Sequence, residues 1–229
     1  MIKHFVHNCK LLSNISISRS IYYNFKLLPL KRAIKFPLFV YPNTTLKGRR
    51  ENFSLPDQLS FGIITLGIPL THFVDGSEST FIRCNGLLQF KCRCSIGSGS
   101  KIAISENATL KIGSNFSSTG HLKICCEHSI QIADDCMFSW DITLIDTDYH
   151  PIYTNGCISN SPRGIIIGKH VWIGFNCSIL KSVRIADNCI ISAGSTIRAD
   201  LSSTNSIYGL PSKLIQTIKS NISWTKDLI

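Results

Sequence analysis

Residues 167–197 read IGKHVWIGFNCSILKSVRIADNCIISAGSTI, with isoleucine at 167, 173, 179, 185, 191 and 197, six times at a spacing of six. Four residues after the first five come Val171, Cys177, Val183, Cys189 and Ser195, all small, and directly after the isoleucines come Gly168, Gly174, Leu180, Ala186, Ser192 and Arg198. A period of six matches neither a helix of 3.6 residues per turn nor a long strand that alternates every second residue, so the chain must turn a corner every six residues. Three short strands closing a triangular coil would aim each isoleucine inward, onto the isoleucine of the coil below, with the small residue packed at the corner. Each isoleucine buried this way contributes about 1.5–3 kcal/mol, enough in register to outweigh local propensity.

Working back toward the N-terminus, the same grammar recurs with interruptions: Ile96-Gly97, Ile102-Ala103, Ile104 to Leu110, Ile112-Gly113, Ile124 to Ile130, Ile132-Ala133 and Phe138 to Leu144. The phase slips by two at 102–104, 110–112 and 130–132, which we read as corners or widened coils. The reading is therefore a mainly β chain built as a single-stranded parallel β-helix over residues 85–211. Residues 1–84 would form a basic, aromatic N-terminal arm and lead-in. Residues 212–229, with Ile215, Ile218, Ile222 and Trp224, would form a short cap over the open end.

Composition bounds what such a chain can be. Its 229 residues, 44% hydrophobic and 17% charged, suit one domain plus an arm and are too apolar for disorder. The most apolar run, Phe61 to Val74, is broken by Gly62, Gly67, Pro69 and His72, so no membrane span and no export signal is expected. Ten cysteines without a CxxC pair then point to reduced thiols in a cytoplasmic protein, used as small apolar fillers, and no metal site is expected from the scattered histidines.

The net charge of +10 is local. Residues 1–50 hold ten Lys and Arg and no Asp or Glu, interleaved with Phe5, Ile21, Tyr22, Tyr23, Phe25, Phe36 and Phe39. Cations among bulky apolar groups suit peripheral contact with an anionic membrane, at its inner face, or an anionic ligand. They suit equally a solvated arm whose aromatics pack on the main body. No nucleic-acid recognition motif accompanies the charge, so no nucleic acid is expected as partner.

Between Leu144 and Ile165 the repeat stops for about twenty residues, and long insertions in rigid scaffolds carry function. This loop, 145–164, contains Asp146, Asp148, His150 and Pro151, with turn signals at Asn155-Gly156 and Ser161-Pro162. His150 can take up and return a proton near pH 7, and Asp146 or Asp148 could hold the imidazole in one tautomer. Cys157 lies in the same loop, without a basic partner fixed beside it by the sequence.

The repeat, taken with Ile132-Ala133-Asp134-Asp135, Ser139-Trp140-Asp141-Ile142-Thr143-Leu144, His150-Pro151-Ile152, Val171-Trp172-Ile173-Gly174, Ser192-Ala193-Gly194-Ser195 and Tyr208-Gly209-Leu210-Pro211, resembles the hexapeptide-repeat acyltransferases. Within them it is similar to galactoside and maltose O-acetyltransferases and to O-acetyltransferases of surface polysaccharides. The resemblance implies a left-handed β-helix, a homotrimer, acetyl-coenzyme A as acyl donor and a sugar or glycan acceptor. It implies His150 as the general base, with Asp148 and Asp146 beside it. Trp172, Gly174, Ala193 and Gly194 would line the pantetheine channel, Arg198 and Lys213 would meet the phosphates, and Trp140, Asp141 and Glu127 would touch the acceptor. A coil amide near Gly174 would face the oxyanion. The chain departs from the family pattern at Thr119, Ala186, Ala199 and Leu210, and Thr119 argues against a simple galactoside acceptor. An N-acyltransferase on an amino sugar and a non-catalytic β-helix scaffold are the competing readings.

Overall fold

The computed structural model describes residues 14–71, 74, 76–209, 213–216 (backbone) and 224–226. In it, three parallel sheets run the length of a column. The first face has nine strands, the second seven and the third six, and successive strands in the chain pass from face to face. Coil 1 comprises Leu38–Val40, Thr44–Lys47 and Phe53–Ser54. Coil 5 comprises Met137–Trp140, Thr143–Ile145 and, beyond a long loop, Ile165–Ile167. Coil 7 ends at Leu201, which bridges to Ile185 of coil 6. The fold is a parallel β-helix.

The six isoleucines lie on successive faces, and each is 2% exposed or less. Ile167 pairs with Ile185, Ile173 with Ile191 and Ile179 with Ile197, each one coil apart. On the second face the stack is continuous from Leu46 through Ile82, Ile102, Ile124, Leu144 and Ile179 to Ile197. Val171, Cys177, Val183, Cys189 and Ser195 are fully buried at the corners, as the spacing requires.

Two details differ from the sequence reading. The phase slips are not corners: Ile102 and Ile104 are both inward residues of the strand Lys101–Ile104, as Leu110 and Ile112 are of Thr109–Ile112. Strands of coils 3 and 4 are longer, the widened coils of the sequence reading, and such a strand as Lys101–Ile104 supplies two inward positions where each strand of coil 6 supplies one. The free positions of the hexad are also constrained. Asn115, Asp135, His170, Asn188 and Asn205 each take a left-handed backbone, φ 52° to 63°, just before a strand of the first face. Asn and Asp tolerate that conformation better than most residues.

The column starts well before residue 85. Leu38–Val40 and Ile64–Ile68 already belong to the first face, in parallel register with each other and with Cys94–Ser98. Aromatic and β-branched residues in the lead-in disguise the repeat without preventing it. Of the described residues of the lead-in, only 14–37 stand apart, and they form a cap. Helix Ile17–Leu27 starts on Ser16, whose hydroxyl accepts from Arg19 N, and it buries Ser20, Tyr23, Asn24 and Leu27 against coil 1. A bottom strand has no neighbour to complete its ladder. Here Asn24 donates to Leu38 O and accepts from Leu38 N, Ser20 accepts from Val40 N, and the Tyr23 hydroxyl accepts from Leu46 N.

At the other end, Lys213–Gln216 runs antiparallel to Ile207–Gly209. The Trp224 ring stacks on His170 at 4.1 Å and Lys226 Nζ lies 3.4 Å from the Asp135 carboxylate. Lys213–Gln216 thus adds a strand beyond the last rung of the first face, while Trp224 and Lys226 lie along the flank of coils 5 and 6. The side chains of Ile215, Ile218 and Ile222 lie outside the described residues.

Candidate active site

The loop leaves the column at the edge between the second and third faces. Its root is Asp146, fully buried, whose carboxylate accepts from the backbone of Glu127 at 2.7 Å, His128 at 2.9 Å and Ser129 at 2.8 Å. The Asp146 carbonyl accepts from Arg163 N at 3.1 Å, so entry and exit of the loop are tied together. This corrects the role expected for Asp146. Three amides of the coil below occupy its carboxylate, which anchors the loop and does not orient His150.

Asp148 also turns away from the imidazole. Its carboxylate receives Lys181 Nζ at 2.6 Å and Asn160 Nδ2 at 2.9 Å, and these two donors, Lys181 first, hold it below the usual carboxylate range. Its contribution at His150 comes from the backbone, where the Asp148 carbonyl accepts from His150 N at 2.6 Å. Asn160 completes the clasp: Nδ2 also donates to His150 O at 2.8 Å, and Oδ1 accepts from Ile152 N at 2.6 Å. Lys181 in turn donates to Asn160 O at 2.8 Å. The His150 backbone is thus held on both sides, while its imidazole is exposed and has no hydrogen-bond partner among the described residues.

His150, Thr147, Tyr149, Ile158 and Asn160 line one open hollow. Tyr149 takes a left-handed backbone, φ 59°, with its amide on the Thr147 hydroxyl, and its phenol meets the Cys125 thiol. That hydrogen bond, then burial, pushes the phenol up to about 12. Beyond Pro151, an antiparallel ribbon pairs Tyr153 with Ile158 and Thr154 with Cys157, leaving Cys157 exposed.

The remaining predicted residues fall into two groups. Glu127 lies on the same edge as His150, with Ser105 Oγ 2.5 Å from its carboxylate. Trp140, Asp141, Gly174, Ala193 and Gly194 lie at the edge between the first and second faces. There Trp140 stacks on Phe175 at 5.0 Å, and Asp141 lies 3.5 Å from the His121 imidazole. Gly194, φ 72°, makes the corner of coil 7, and a side chain on Gly174 would strike Ala193 N at 2.7 Å. The Gly174 amide is not available to an oxyanion, because it donates to Ile191 O at 2.8 Å. Trp172 is half-buried on the first face, its indole N–H on Ser139 Oγ and its ring 6.2 Å from Trp224. Arg198 is exposed, and the Lys213 side chain lies outside the described residues. Within one column the His150 group and the Trp140–Gly194 group therefore occupy different edges. Among the described residues no cluster of His, Cys, Asp and Glu could hold a metal.

Sequence reading missed Asn160 and Lys181, which hold the loop backbone around His150 without touching its imidazole. Asn160 stands ten residues from His150 and Lys181 lies in the next coil, and no local motif links either to the loop. Fold and loop together define a hexapeptide-repeat β-helix with an interrupted coil. Residues 164–199 match the family model described as bacterial transferase hexapeptide (six repeats). The chain is 31% identical over 120 residues to the galactoside O-acetyltransferase of Escherichia coli strain K12, covering 51% of this chain and 58% of that protein. It is 36% identical over 90 residues to the polysialic acid O-acetyltransferase of Neisseria meningitidis, covering 38% of this chain and 39% of that protein. Among solved structures it is similar to the polySia-specific acetyltransferase NeuO, with 23% identity, a TM-score of 0.48, and coverage of 83% of this chain and 79% of that one. The chain thus spans only about two fifths to three fifths of the length of these curated relatives.

Proposed function

We propose that this protein is an acetyl-coenzyme A-dependent O-acetyltransferase acting on a sugar hydroxyl in surface-polysaccharide synthesis. His150 carries the reading: an exposed imidazole whose backbone is clasped on both sides, on a loop that interrupts an otherwise continuous column. The naming of relatives as sugar O-acetyltransferases supports the reaction class. In the reaction, His150 removes the proton of the acceptor hydroxyl as its oxygen attacks the thioester carbonyl. The tetrahedral intermediate collapses, the carbon–sulfur bond breaks, and the imidazolium returns the proton to the departing thiolate. No acyl-enzyme is formed, so Cys157 is not required.

The two groups of site residues support a homotrimer as the working form. They lie on different edges of one column, so a complete site requires an edge carrying His150 and Glu127 to face a neighbouring copy's edge carrying Trp140, Gly174, Ala193 and Gly194. Trp172 would then flank the pantetheine arm, with Arg198 and Lys213 toward the phosphates. The enzyme would work in the cytoplasm, at the inner face of a membrane contacted through residues 1–50.

Release of free coenzyme A from acetyl-coenzyme A, measured across nucleotide sugars and glycan fragments, tests the reading. Acceptor-dependent release that disappears in His150→Ala is expected. Release undiminished in that variant, or none with any acceptor and no acetyl-coenzyme A binding by calorimetry, would overturn it. A product stable to mild alkali would mark an amide and replace O- by N-acylation.

A further inference from the structure

The cap presents two unlike sides. One face of helix Ile17–Leu27 is spent on coil 1. On the other, Ile17 is 73% exposed and Ile21 45% exposed, and with Phe36, Phe39 and Phe61 they line a single apolar hollow. Phe61, itself 71% exposed, comes from the turn into coil 2, far from the arm in sequence, and its ring meets Phe39 edge-on at 4.7 Å. Phe25, one turn beyond Ile21, extends the patch by an edge-on contact with Phe36 at 6.0 Å.

The nearby cations also divide. Arg19 is spent on Thr44 O, and Arg32 on Leu55 O and Pro56 O. Lys31 and Lys35 are exposed and meet no carboxylate among the described residues, and Lys26 is held only over the rings of Tyr22 and Tyr23. Residues 1–50 hold no Asp or Glu, and Glu51, the first acidic residue beyond them, is paired with Arg49.

We infer that the capped end of the column docks on an anionic lipid surface through the Ile17–Ile21–Phe61 patch, with Lys26, Lys31 and Lys35 meeting the headgroups; this rests on, and narrows, the membrane contact of the proposed function. An in-plane amphipathic element with aromatic and aliphatic groups inserted and lysines at headgroup level is the arrangement such surfaces select. Each lysine near an anionic leaflet adds about a fivefold gain in partitioning. A second copy fits less well, because a two-fold pairing of this patch would set like charges against each other.

Flotation of the full chain with phosphatidylcholine vesicles, with and without phosphatidylglycerol, tests the inference. Binding that requires phosphatidylglycerol is expected. It should fall about tenfold or more in Ile21→Asp with Phe61→Asp, and by a similar factor in Lys31→Glu with Lys35→Glu. Unchanged melting and unchanged coenzyme A release with soluble acceptors would show that both pairs leave the column intact. Should the aspartates unfold the cap, Ile21→Ser with Phe61→Ser makes the same measurement. No vesicle binding, binding equal in all variants, or a patch-dependent dimer seen by light scattering without lipid binding would each overturn the inference. Turnover without vesicle binding removes this inference together with the membrane contact and leaves acyl transfer standing, whereas vesicle binding equal in all variants removes this inference alone. Vesicle binding without turnover removes the acyl-transfer reading alone.

Discussion

Residues 165–197 and residues 146–164 adjoin in sequence and are held by opposite means. In the first segment a side chain is fixed by what lies directly above and below it: Ile179 is stacked between Leu144 and Ile197, and the sequence repeats that environment at every step. In the second, position depends on single polar contacts that occur once. Asp146 bonds to three amides of the coil below, and Asn160 bonds to the backbone around His150. Repetition spreads stability over many equivalent contacts, whereas the loop concentrates its geometry in two or three side chains. A substitution in the column should therefore alter stability, and one in the loop should alter reaction rate.

The sharpest separation is expected from His150→Ala, which should lower turnover by about 10²–10⁴-fold and leave the melting temperature within error. Loss of folding there would break the comparison. Ile179→Ala should destabilise by about 2–5 kcal/mol in chemical denaturation, while coenzyme A release per folded molecule stays near wild type. Asp146→Ala tests the junction of the two regions: three buried amides lose their acceptor, and a cost of about 2–4 kcal/mol is expected together with reduced turnover. If only turnover fell, Asp146 would belong to the chemistry rather than to the anchor. Asn160→Ala should reduce turnover about tenfold with little change in stability, because it loosens His150 without uncovering the core.

The smallest effect concerns acid. Asp148 is held below its ordinary value by Lys181 and Asn160, so it adds stability above the unfolded carboxyl range and loses it as pH falls through the lowered value. Its exposure to solvent keeps that contribution small. Between about pH 4 and the lowered value, Asp148→Asn should show a shallower loss of stability than wild type, followed by thermal melting across that range. Equal slopes would mean that the Lys181 pair holds only the loop's shape.

Legibility in the sequence follows the same division. The hexad was readable because each inward position has the same requirement, and six isoleucines state it six times. Coils 1 and 2 were not readable, since their inward residues Leu46, Leu66, Ile82 and Leu88 recur at no fixed interval. His150 stood out as a titratable side chain beside a proline in an interruption. Its supports did not, because a bond such as Lys181 to Asp148 spans thirty-three residues and joins loop to coil, leaving no periodic trace. Asp146 was noticed for its charge, but only the folded coil shows three amide hydrogens converging on it. The charge imbalance marks residues 1–50 as an arm, yet nothing in Ser20, Tyr23 and Asn24 read alone says that they meet a strand edge and cap the column.

That edge has a consequence for the state of the protein in concentrated solution. Parallel rungs about 4.8 Å apart, stacked on like residues, share the geometry of a cross-β fibril, and a bare end rung would accept the end rung of another molecule. In this chain the rung Leu38–Val40 is closed by side chains from a helix, which offer hydrogen bonds but no further strand. The helix Ile17–Leu27 is thus a chain terminator in the polymer chemist's sense, keeping a structure built for endless addition at a finite length.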